Sequence, residues 1–120
     1  MPGEEFPVRW SGETAVVTFP AEVDLTVADA AREALLAVLN QGAALLVVDM
    51  TPTTFCDSAG VSVIVRAARR ASAGGGSIRL ATSSATVLRV FSLVGIDRLI
   101  EIHPTVADAV GDAMGPPVLA

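Results

Sequence analysis

One stretch of this chain has the residue types and order to carry chemistry. It is Asp57-Ser58-Ala59-Gly60, preceded by Phe55-Cys56 and followed by an apolar run at helical spacing. A hydroxyl and a carboxylate where a helix begins lie near backbone N–H groups that lack intrahelical partners, and near the positive end of the helix dipole. Such a position suits an anion, including a phosphate carried on the serine itself. A purely structural role competes, because Asp and Ser are both favoured N-caps. Other candidate residues invite plainer readings. Asp24 falls in a loop, where it caps the first helix region or braces the neighbouring segment. Asp49 ends an apolar run and reads as the polar terminator of a buried strand. Cys56 reads as a small apolar filler. His103, just before Pro104, reads as a helix-start residue rather than a ligand or a base.

The elements that must position Ser58 follow from the hydrophobic pattern. Leu45 to Val48 is a short apolar, β-branched run of the kind found in central parallel strands, ending in Asp49-Met50. Thr51 to Thr54 is a loop. Val61, Ile64, Val65 and Ala68 then recur at helical spacing, with Arg66, Arg69 and Arg70 largely off that stripe. Before this core, Val8 to Trp10 and Thr14 to Phe19 read as a hairpin around Ser11-Gly12-Glu13. Thr26 and Asp29 form a capping-box pattern for a helix with Val27, Ala30, Ala31, Ala34, Leu35 and Val38 inward, ended by Gly42. After the Gly74-Gly75-Gly76 stop, Ser77 to Ala81 alternates as a strand. Ser83 or Ser84 caps a third helix with Val87, Val90, Phe91 and Val94 inward, closed by Gly95. Leu99 to Ile102 is a last strand, and Thr105 opens a final helix to about Met114. Strands alternating with helices predict a single α/β domain with a largely parallel sheet. It spans residues 8–114, between an N-terminal arm (1–7) and a C-terminal tail (115–120).

Composition narrows the function classes. At 120 residues there is room for one core, built mainly from Ala and Val, since aromatics are only 4%. The net charge of −5 and pI near 4.6 argue against a nucleic-acid surface and against a polybasic membrane anchor. No apolar run approaches the roughly eighteen residues that a membrane span needs. The N-terminal stretch has no apolar signal-peptide core, so a cytoplasmic location is expected. A single cysteine excludes an internal disulfide and a cysteine-built zinc site.

Three segments together resemble a known family. Phe55-Cys56-Asp57-Ser58-Ala59-Gly60 is similar to the phosphorylation segment of bacterial anti-sigma factor antagonists, which are single STAS domains. Ala21-Glu22-Val23-Asp24 resembles the Gly-Glu-apolar-Asp turn before that family's first helix, with Ala21 departing from the glycine that many members carry. Val90 to Ile96 resembles its late helix, apolar-Phe-x-x-x-Gly-apolar. The resemblance covers about Val8 to Val110. It implies a mixed, mostly parallel sheet of four or five strands, with about four helices packed mainly on one side. It also implies a non-enzymatic switch with no metal or cofactor of its own. The unphosphorylated form would bind an anti-sigma factor that is also an ATP-dependent serine kinase, releasing the sigma factor. Phosphorylation of Ser58 would end that binding, and a PP2C-type phosphatase would restore it. ATP and Mg²⁺ would belong to the kinase. Asp24, Asp57, Ser58, Ala59 and Gly60 would form the partner-facing surface, Asp57 capping the helix or holding the loop and Gly60 permitting close approach. The runner-up is a STAS module of another partner-switching or stress complex.

Two other classes fit less well. Ser58, Asp97 and His103 occur in the chain order of α/β-hydrolases, but the Gly-x-Ser-x-Gly elbow is missing and little room remains for a substrate pocket. A phosphate-receiving aspartate at Asp49 would require an acidic pair for Mg²⁺ and a lysine near the last strand, and the chain has no lysine.

Overall fold

The computed structural model describes residues 6–111. A hairpin opens the fold, β1 (Val8–Ser11) pairing antiparallel with β2 (Thr14–Thr18). Gly12 supplies the positive φ of +59° that this two-residue loop needs. Three strand–helix units follow. β3 (Glu22–Val23) leads into α1 (Leu25–Asn40), and β4 (Leu45–Asp49) is followed by β5 (Phe55–Cys56) and α2 (Ser58–Ala73). β6 (Ser77–Ala81) leads to α3 (Ala85–Val94), a 3-10 turn (Ile96–Arg98) and β7 (Glu101–His103), before the short α4 (Val106–Val110). The main sheet runs β1-β2-β4-β6-β7, all parallel after the first pair. It is the mixed five-stranded sheet that the resemblance implies.

Strand alternation divides the core into two layers. Ala15 and Val17, Leu46 and Val48, and Ile78 and Leu80 face α1, α2 and α3, which bury Leu35, Ile64 and Phe91 against them. The intervening residues Val16, Leu45, Val47 and Ala81 point the other way and are covered by Ala109 and Val110 of α4. Crossovers are right-handed, so stepping always in one direction across the sheet puts successive helices on one face. α4 follows the last strand and is not a crossover, which leaves it free to cover the back. Arg79 Nη1 donates to Ala109 O at 2.9 Å and holds it there.

Four expectations change in detail. Phe6, assigned to the arm, is buried edge-on against Phe19 with ring centroids 5.2 Å apart, and the Thr18 amide donates to Pro7 O. The fully buried line of α2 is Gly60, Val63, Ile64, Ala67 and Ala71, while Val61, Val65 and Ala68 flank it half-buried. Small residues let the helix approach the sheet most closely along that line, so it centres the contact. On α3, Val94 is exposed, because the helix turns away at Gly95 with a left-handed φ of +83°. The last strand begins at Glu101 and includes His103, since Ile96–Arg98 winds as the 3-10 turn instead. Thr105 caps α4 by accepting from the Asp108 amide at 3.0 Å. The expected extension to Met114 and the 115–120 tail run outside the described residues.

Candidate functional site

The loops after β2 and β4 leave the carboxyl ends of adjacent parallel strands, where ligand sites of α/β sheets gather. Here they are joined by a second, two-stranded sheet. β3 pairs parallel with β5, Glu22 opposite Phe55 and Val23 opposite Cys56. The Asp57 amide donates to Val23 O at 3.1 Å, so continuing the register by one step sets Asp24 beside Asp57. Thr53, fully buried, reinforces the join by donating its hydroxyl to Pro20 O at 2.8 Å, and the Thr54 amide donates to Ala21 O at 2.8 Å. No non-glycine residue described has a positive φ, so Ala21 fits its turn without needing a glycine there. Asp49 shapes the start of the second loop, accepting from the Thr51 amide at 2.9 Å and the Thr51 hydroxyl at 2.6 Å.

Both helices at the site begin with an aspartate cap. Asp57 Oδ1 accepts from the Ala59 amide at 2.9 Å and the Gly60 amide at 3.2 Å. Its carboxylate thereby occupies the helix end that the sequence marks as suited to an anion. Ser58 is the first residue of α2 and is exposed. Asp24 caps α1, accepting from the Thr26 amide at 2.9 Å and from the Thr26 hydroxyl. Thr26 is thus the donor to the cap and not the cap itself, and Asp29 pairs with Arg32 at 3.6 Å instead of closing a box. The Thr26 hydroxyl, aided by the backbone N–H groups, holds the Asp24 carboxyl below its ordinary pKa of 3.8.

Gly60 is buried, and the approach it permits is internal. A Cβ there would lie 2.7 Å from Cys56 Sγ and 2.8 Å from Val23 Cγ1. Cys56 itself is buried, and desolvation, with a smaller push from the neighbouring Asp57 charge, raises its thiol to about 12. A thiol so shifted is packing, not a nucleophile. His103 Nε2 lies 3.0 Å from Glu101 Oε1, so the ring is engaged along its own strand. Sequence reasoning missed the β3–β5 sheet and Thr53. Two-residue strands have no alternation to detect, and one threonine in a Thr-rich loop looks like any other.

A five-stranded mixed sheet with crossover helices on one face, and two capped helix starts side by side at its carboxyl edge, defines a class of regulatory domain. The chain belongs to the STAS domain family, whose model matches residues 6–109, and within it to the anti-sigma factor antagonists. It is 30% identical over 86 residues to the anti-sigma-B factor antagonist of Bacillus subtilis, covering 72% of this chain and 78% of that protein. Its fold matches an anti-sigma factor antagonist from Mycobacterium paratuberculosis with a TM-score of 0.81 at 24% identity, covering 88% and 89% of the two chains. It also matches the antagonist SpoIIAA in its unphosphorylated form with a TM-score of 0.76 at 24% identity, covering 90% and 94%. No helix among the described residues is long and apolar enough to cross a membrane.

Proposed function

We propose that this chain is a partner-switching antagonist whose switch is Ser58. Unphosphorylated, it binds an anti-sigma factor serine kinase and frees the sigma factor. Phosphorylated on Ser58, it lets go, and a PP2C-type phosphatase resets it. The chain acts in the cytoplasm by binding alone, while ATP and Mg²⁺ serve the kinase. The observation that carries this reading is the exposed Ser58 at the first position of α2, beside an aspartate that already satisfies the amides of Ala59 and Gly60. Asp24, Asp57, Ser58 and Ala59 form the partner surface, and Gly60 sets its height from within.

The arrangement gives the switch its direction. A phosphate adds about −1.5 to −2 charges. With Asp57 already on the amides of the first turn, the phosphate points outward, beside the Asp57 carboxylate, and the fold needs no rearrangement to hold it. The obstacle arises where a partner would have to strip water from that cluster; a like-charge contact across an interface costs several kcal/mol, and about 1.4 kcal/mol is tenfold in affinity. The test is incubation with the cognate kinase and ATP, followed by peptide mapping. Ser58→Ala is expected to accept no phosphate and to hold the kinase constitutively, and Ser58→Asp to fold normally and bind poorly. Phosphate on another residue, or tighter binding by the phosphorylated form, would overturn the reading.

A further inference from the structure

We infer that the groove between α1 and α2 is the docking site for an amphipathic helix of the partner whose flanks carry Asp and Glu. The inference rests on the partner-binding reading above and specifies the chemistry of the segment that binds. Two shallow hollows of about 290 and 210 Å³ lie end to end between the helices and share Arg32, Val63 and Arg66. Leu25, Ala28 and Ala59 supply apolar contact at the end next to Ser58 and Val63 in the middle, with Asp29 and Ser62 on the rim of that end. Leu25 is 77% exposed, a large apolar side chain left in water on the residue after the Asp24 cap. From Ala59 to Ala67 the groove runs about 12 Å at 1.5 Å per residue, roughly two helical turns. That length and apolar contact fit the helix-in-groove mode of recognition, in which apolar anchors recur every three or four residues.

Charge selects the occupant. The chain as a whole carries −5, yet α2 has three arginines and no acidic residue. Arg66 stands on the α2 wall of the groove and Arg32 on the α1 wall. Asp29 neutralises part of Arg32 at 3.6 Å, while Arg66 makes no ion pair among the described residues. A helix lying here therefore meets the Arg66 guanidinium on the α2 edge and, on the α1 edge, Arg32 shared with Asp29, so carboxylates on its α2-facing flank complement Arg66. A lysine-flanked helix would meet repulsion. The groove also explains how a phosphate at Ser58 reaches a bound helix: it adds negative charge at the mouth of a channel selected for a negatively charged guest.

The test uses the full chain and two synthetic amphipathic peptides with the same apolar face, one flanked by Glu and the other by Lys, followed by amide chemical shifts of the protein. The Glu peptide is expected to move resonances of Leu25, Ala28, Ala59, Val63 and Arg66, and the Lys peptide to leave them in place. Arg66→Glu should weaken the Glu peptide roughly tenfold, and Arg66→Gln less, both with unchanged circular dichroism. Equal response to both peptides, or shifts confined to the hollow of Val8, Trp10 and Ala34 at the other side of α1, would overturn the inference. So would concentration-dependent shifts of the same residues without peptide, which would give the groove to a second copy of this chain. Because no kinase takes part, these outcomes test the groove whether or not Ser58 is the residue that a kinase modifies.

Discussion

Helices α1 and α2 both follow a two-residue strand and an aspartate, and the aspartates lie side by side. Beyond that the two starts differ. α2 is seated from beneath: Gly60 presses against Cys56 and Val23 with no space for a methyl group, and Asp57 ties two successive amides. α1 is held from outside: Asp24 closes a local loop with Thr26, and the next residue, Leu25, lies in water. A start fixed by packing can present Ser58 at a constant height and angle. A start fixed by local hydrogen bonds can give way without disturbing the core. The helix that carries the serine has the rigid mounting, and its neighbour has the compliant one.

The largest expected effect comes from attacking the rigid seat. Gly60→Ala forces its Cβ into Cys56 Sγ and Val23 Cγ1, and overpacking of this kind costs roughly 1–3 kcal/mol, against a helix-propensity gain of at most about 1 kcal/mol. Urea denaturation should show a net loss of stability, with part of it recovered when Cys56→Ala removes the sulfur. No loss would mean that the seat is soft and the contrast between the two helices fails. Asp57→Ala should come next, at about 1 kcal/mol for a lost cap, while Asp57→Asn keeps most of it.

Asp24→Ala should lower the melting temperature by less than Asp57→Ala does, since its cap is exposed and screened. Its pH dependence sharpens the difference. The folded pKa lies below the ordinary 3.8, so the cap stabilises above the unfolded pKa and is lost as pH falls through the folded value. Parent and Asp24→Ala melting curves should differ at neutral pH and converge in acid. A gap that persists in acid would show that Asp24 braces the site by something other than its charge. The smallest effect belongs to Cys56. With its thiol near 12, roughly one in ten thousand is ionised at pH 8, so alkylation should proceed only as fast as the domain opens. Rapid labelling of the native protein would show the β5–α2 junction to be loose.

Much of this was legible because the site lies between strong signals. The run Leu45 to Val48 and the glycine triplet at 74–76 bracket β4, α2 and the loop between them, and every strand of the main sheet was placed within a residue or two. What stayed hidden depends on tertiary contact. Thr26 is as good a capping type as Asp24, and only the chain path through β3 decides between them. Phe6 sits among prolines and acids, and its burial depends on meeting Phe19 across the hairpin. Gly60 looked like a concession to a visitor because a sequence does not reveal that Cys56 and Val23 lie beneath it. The groove was invisible for a related reason: Arg32 and Arg66 are far apart in the chain, and each alone reads as a solvated helix face.

The back face of the sheet has a consequence for synthesis. Val16, Leu45, Val47 and Ala81 are covered by Ala109 and Val110, which are translated after every strand they shield. A chain made as far as His103 has all five strands of the main sheet and its first three helices. It still carries a bare apolar surface on the other side until α4 arrives and Arg79 fastens its last turn. Folding from the N-terminus thus leaves one sticky face open for the longest time, its cover among the described residues being a helix of five. A chain terminated near Pro104 and released would present that face to chaperones, or to another copy of itself.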